Sequence, residues 1–315
     1  AGDIISDGAV TITSGGGTTT SADVTTTADA IQFASATGLG DAVALVSAGG
    51  AVTFTSTLDN AQNLTITAAA GNVSFSGAVG GSTRLGTLNI VTAGDVTAGA
   101  LTLAAFDQDA GTGTTTLGGA VDTNAAGGVV VANTNLAVNA AVTTTGNGVV
   151  TFTQSGTTTI AAAGNIISDG AVTITSVGGT TTSADVTTTR DVIEFASNTA
   201  VNADLTLNTT SGGAAGAAIT FGGNITNGGA NDLILVAGTG GAITVAGTTA
   251  VTDLTLTSGA SAVFTGNVTV NDLITASTAT TITLNGAANT FVEAIDFVNT
   301  GTVTLGNATG DQSTF

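Results

Sequence analysis

The stretches VTITS, IQFAS, VTFTS and VSFSG place Ile12, Phe33, Phe54 and Phe75 at equal intervals of 21 residues. An apolar position that recurs at one fixed spacing requires a backbone that returns to the same place every 21 residues. Two residues before each of these sit Val10, Ile31, Val52 and Val73, with Thr11, Gln32, Thr53 and Ser74 between. That is the period-2 alternation of a half-buried strand. The lattice continues through Val96 and Leu117. Over 118–151 the register is ambiguous, with VVVAN and LAVNA competing for the next position; it returns at Phe152, Ile174 and Phe195. In the last third, Phe221, Val245, Phe264, Leu284 and Leu305 follow at spacings of 24, 19, 20 and 21. In step with them, Asp204, Asp232, Asp253 and Asp272 each precede a Leu that opens an apolar run.

Short Val/Ile/Leu/Thr strands parted by Gly, Asn, Asp and Ser turns at this period predict an all-β fold, a parallel β-solenoid. About 15 coils of about 21 residues at the spacing of neighbouring strands would span roughly 70 Å. A sandwich has no need of a recurring 21-residue position, and a membrane barrel would carry aromatic girdles that a chain without Trp or Tyr lacks. One coil alone cannot stand. Ordering it costs roughly 1–2 kcal/mol per residue, and its few inward side chains return only about 1.5–3 kcal/mol each. Stacking closes the core above and below and lets strands share their ladders. The absence of Pro fits, because an inner ladder strand cannot lose an N–H.

The expected organisation is a single solenoid domain, 1–315, containing an internal duplication. Residues 2–35 align without a gap on 164–197, identical at 29 of 34 positions. The differences are Asp3/Asn165, Gly15/Val177, Ala28/Arg190, Ala30/Val192 and Gln32/Glu194. A protein that is nearly one-dimensional grows by copying blocks of coils; scaffolds tolerate such copying better than active sites do.

Composition narrows the chemistry. The net charge is −19, from 19 Asp and two Glu against only Arg84 and Arg190. Such a surface repels nucleic acid, and no Lys/Arg cluster is present to displace counterions, so no nucleic acid partner is expected. An anionic membrane surface repels it too, and no apolar run is long enough to span a bilayer as a helix. Without Cys there is no disulfide, thiolate metal site or thiol catalysis.

With no His, Cys, Lys or Tyr, catalysis would rest on carboxylates, hydroxyls and two guanidiniums. Arg84 and Arg190 are the only residues able to serve a lyase-like site. Asp107/Asp109 and Glu293/Asp296 are the nearest acid pairs for a glycosidase. The competing reading makes them solvated turn charges, and the chain is expected not to be an enzyme. For Asp204, Asp232, Asp253 and Asp272 two readings stay open. Each caps its own turn through an Asx hydrogen bond, or stacked carboxylates take up Ca²⁺ between them. They are the candidate metal ligands; no other cofactor is expected. The Thr-x-Thr ladder of ice-binding solenoids is interrupted by Gln32/Ala34 and Ser74/Ser76.

The stretch AVTFTSTLDNAQNLTITAAAGNVSFSGAVGGSTRLGTLNIVTAGDVT, 51–97, resembles the repeats of giant secreted bacterial surface proteins of the filamentous-haemagglutinin-like adhesin class. The matching segments are VTFTSTLDNAQNLTI and GNVSFSGAVGG; beyond them the likeness is one of rhythm and composition. It implies a right-handed parallel β-helix exported to the bacterial cell surface or beyond, as stalk, adhesive fibre or matrix. No cap is evident in the sequence at either end. From Leu305 to Phe315 and on through residues 1–12 of another copy the chain supplies about one coil, so head-to-tail stacking into a homopolymer is expected. The expected function is a non-catalytic extracellular structural protein, part of a surface filament, sheath or adhesin stalk. The alternatives are a module binding surface glycans, a carbohydrate-active β-helix and an ice-binding protein.

Overall fold

The computed structural model describes residues 2–227 and 230–315, and among them every regular element is a strand. Most strands are three to five residues long, the length that Val/Ile/Thr runs reach before a Gly, Asn or Asp corner. Among the described residues the strands pair in parallel, and the chain makes about 15 turns of about 21 residues, the predicted β-solenoid. It divides into two compact units, Ala1–Ser155 and Gly156–Phe315, each described by itself below.

A full turn carries up to three strands. In unit one a row of seven parallel strands comprises Val10–Ile12, Ile31–Phe33, Val52–Phe54, Val73–Phe75, Val96–Ala98, Thr114–Leu117 and Asn135–Val138. A second row begins Ile4–Ser6, Val24–Thr26, Val43–Val46 and Leu64–Thr67 and ends at Val129–Asn133 and Val150–Gln154. A third starts as Thr18–Thr20, Thr37–Leu39 and Leu58–Asp59. In unit two a seven-strand row runs from Val172–Ser176 to Val303–Leu305. An eight-strand row runs there from Thr158–Ile160 to Gln312–Thr314.

Alternate side chains of each row point inward, and nine of the 11 Phe are fully buried there. Phe33, Phe54 and Phe75 sit directly above one another with rings stacked at 4.8 and 5.4 Å. Parallel in-register pairing imposes this: like residues on successive coils meet at the strand spacing. The corners leave less room. A Cβ on Gly50 would lie 2.1 Å from the Asp29 carbonyl oxygen, and one on Gly71 2.0 Å from that of Gly50, so these stacked corners admit only glycine.

The register corrects the sequence lattice in two places. Val96 stands on Val73, and Phe75 faces Ala98, because the turn between them carries 23 residues. Phe152 does not rejoin the Phe33 column. It stacks on Val131, which stacks on Gln108 and Ile90 in the other long row. VVVAN and LAVNA do not compete, since they are the Val129–Asn133 and Asn135–Val138 strands of one turn. A single 21-residue period cannot distinguish rows, because every row repeats with it. From Ile174 through Phe195, Phe221, Val245, Phe264, Leu284 and Leu305 the expected column is a single one.

The two duplicated blocks keep their hydrogen bonds as well as their residues. Thr26 Oγ1 donates to the Asp29 carbonyl, and Thr188 Oγ1 to that of Asp191. Thr27 donates to Asp7 Oδ1 at 2.5 Å and Thr189 to Asp169 Oδ1 at 2.8 Å. The amides of Ser14 and Ser176 donate to the hydroxyls of Ser35 and Ser197. The Asp3/Asn165 difference is silent for the same reason: Oδ1 of either accepts from the backbone N–H of Asp23 or Asp185.

Candidate functional site

The four candidate ligands form a column. Leu205, Leu233, Leu254 and Leu273 pair in register and are buried, so the aspartates just before them fall one above another at a corner. Their carboxylates are used between coils. Asp204 Oδ1 accepts from the backbone N–H of Asp232 at 3.0 Å, Asp232 Oδ1 from Asp253 at 3.2 Å, and Asp253 Oδ1 from Asp272 at 3.2 Å. This corrects the Asx-cap reading for Asp204, Asp232 and Asp253, whose side chains hold the next coil, not their own turn. Among the described residues no three acidic side chains converge as a metal cage.

The column has an electrostatic cost. Partial burial pushes the Asp232 carboxyl above the usual carboxylate range, opposed by its bond from the Asp253 amide and reinforced by the charges of Asp253 and Asp204. The bond therefore organises the corner while the neighbouring like charges oppose it.

The same device recurs beyond these four, which sequence reasoning missed. Asp185 Oδ1 accepts from the amide of Thr206, Asn198 from Asn224, Asn224 from Thr248, and Asn267 from Ala288. In unit one Asp23 accepts from Ala44, Asn63 from Thr87, Asn72 from Asp95, and Asp95 from Thr114. In these cases the acceptor precedes its partner in the chain, so within each unit the bonds run from one coil to the next; Asn289 is an exception, its Oδ1 accepting from the Val268 amide of the preceding coil. The signal was present: an Asp or Asn immediately before the first apolar residue of a strand, as in Asp23–Val24, Asn63–Leu64, Asn72–Val73, Asp95–Val96 and Asp185–Val186.

The other candidates are not assembled into one centre. Asp107 faces outward from Leu101–Gln108, and its carboxyl is pushed up by burial and by Asp109 beside it. Glu293 and Asp296 are both exposed. Arg84 is occupied: its guanidinium donates to the carbonyls of Leu103 and Asp122 at 2.7 and 2.9 Å and pairs with Asp122 Oδ2 at 2.8 Å. Arg190 lies in the other unit, exposed, at φ 87°. Of these groups Arg84 joins one coil to another. Compared with known proteins, the chain matches no family model, no curated protein and no solved structure.

Proposed function

We propose that the chain is a non-catalytic structural segment of an extracellular bacterial fibre, sheath or adhesin stalk. The observation that carries this reading is the recurrent set of Asp and Asn side chains whose oxygens accept from the backbone of the following coil. The carboxylates of Asp204, Asp232 and Asp253 serve cohesion along the stack. The resemblance of 51–97 to surface-adhesin repeats supports the extracellular setting, and a composition with two trypsin sites and no sulfur suits exposure there.

Head-to-tail stacking of copies belongs to the same proposal. Electron microscopy of the purified chain, with and without millimolar Ca²⁺, tests it. Long uniform fibres with an axial repeat near the length of one chain are expected. Separate particles under both conditions, at every concentration examined, would refute self-stacking.

A further inference from the structure

The core of unit one is not uniformly apolar. Gln108, Thr115, Asn133 and Gln154 point inward from neighbouring turns and are all nine-tenths or more buried. Most of their polar atoms are matched. Thr115 Oγ1 donates to Gln108 Oε1 at 2.6 Å, Asn133 Nδ2 to the Asn135 carbonyl at 2.7 Å, and Gln154 Nε2 to the Val131 carbonyl at 2.9 Å. Two are not: Gln108 Nε2 and Asn133 Oδ1 have no protein partner. Leaving one such buried group unsatisfied costs about 1–3 kcal/mol, so two on neighbouring turns require an explanation.

Both side chains approach one glycine. A methyl group on Gly111 would lie 2.7 Å from Gln108 Nε2, 3.0 Å from Asn133 Cβ and 3.6 Å from the Ala93 carbonyl oxygen. The backbone there does not need glycine for its φ, so the missing side chain is a matter of room. The unpartnered groups are one donor, Gln108 Nε2–H, and one acceptor, Asn133 Oδ1, and the Ala93 carbonyl oxygen, a second acceptor, lies near the same glycine. A cation would be repelled by the donor and an anion by the acceptors. Water accepts one bond and donates two, the complement of this set.

We propose that Gln108, Asn133 and Gly111 form an internal site for one structural water, which accepts from Gln108 and donates to Asn133 and the Ala93 carbonyl. It also accounts for one amide, Gln108, in a column whose other members are Ile66, Ile90, Val131 and Phe152.

The test is a crystal structure of the full chain at a resolution that shows ordered solvent, joined to water–amide cross-relaxation by NMR. One solvent peak within hydrogen-bond reach of both amides is expected, with a cross-peak from long-lived water to the Gln108 side-chain amide. Gly111→Ala should abolish that cross-peak and lower the melting temperature, while leaving the fold's strand signals in place. Gln108 and Asn133 bonded directly to each other, or a wild-type Gln108 amide with no water cross-peak, would overturn the proposal. Should Gly111→Ala fail to fold, the wild-type density and cross-peak still decide.

Discussion

Phe54 stacks on Phe33 with ring centroids 4.8 Å apart and planes 4° from parallel, and Phe75 lies on its other face at 5.4 Å. Phe54 is therefore the middle of a three-ring pile in unit one. Phe54→Ala removes the shared ring and leaves a gap closed above and below by coils that are tied to their own registers. The expected cost is about 3–5 kcal/mol. Phe54→Leu should cost less, because it refills most of the volume. Urea denaturation followed by circular dichroism measures both, and equal midpoints for the two variants would show that stacking geometry outweighs volume.

The pile shows how much the sequence revealed. Phe33, Phe54 and Phe75 were legible because three successive turns have the same length, so period and stacking coincide. The same rule failed at Val96, where the preceding turn has 23 residues and pairing passes to Ala98. Spacing counts residues, whereas register is decided by which inward side chains meet. Asp204, Asp232, Asp253 and Asp272 were legible as a column, since each is tied to a Leu that must point inward. Their bonding was not, because an Asp before a strand has its own turn and the following coil within reach, and the stacking geometry decides between them.

Asp253 separates the ladder reading from a calcium reading. It accepts from the Asp272 amide through one oxygen and contributes charge that pushes Asp232 upward. Asp253→Asn keeps the acceptor and removes the charge, so it should leave stability at neutral pH unchanged or slightly raised. Asp253→Ala removes the acceptor and should cost about 0.5–1.5 kcal/mol. Thermal melts with and without millimolar Ca²⁺ give the contrast. A calcium-induced rise in melting temperature that Asp253→Asn abolishes would establish a cation between these carboxylates.

Asp107 makes the stability of unit one depend on pH in a defined direction. Burial, then the charge of Asp109, raises its folded carboxyl above the ordinary 3.8. Its cross-strand neighbours are Asn89 and Val130, neither of which brings a positive charge. Between the ordinary and the raised value the folded state binds more protons than the unfolded one, so stability falls as pH rises through that window. Above it the ionised group imposes a constant penalty. Asp107→Asn should raise the melting temperature at pH 7 and flatten the gain that the wild type shows on acidification. Other carboxylates titrate in both proteins, so the difference between the two pH profiles isolates Asp107.

Ala28 and Arg190 occupy the same place in the duplicated block, and both hold a positive φ, 90° and 87°. The turn is fixed from within: Thr26 bonds the Asp29 carbonyl and Thr188 that of Asp191. A side chain in that left-handed conformation costs roughly 1–2 kcal/mol, whereas glycine enters it freely at an entropic cost of about 0.5–1 kcal/mol. Ala28→Gly should therefore stabilise the chain by a few tenths to about 1 kcal/mol. Arg190→Gly faces the same backbone gain, but the Arg190 guanidinium lies over Gly212 and Gly213, with Nε 3.3 Å from a methyl placed on the former. Its removal exposes that corner and offsets the relief. The expected order of melting temperatures is Ala28→Gly above wild type, with Arg190→Gly gaining less. If both variants rise equally, the arginine's cover of the glycine corner contributes nothing; if Ala28→Gly falls, the turn is not strained at that position.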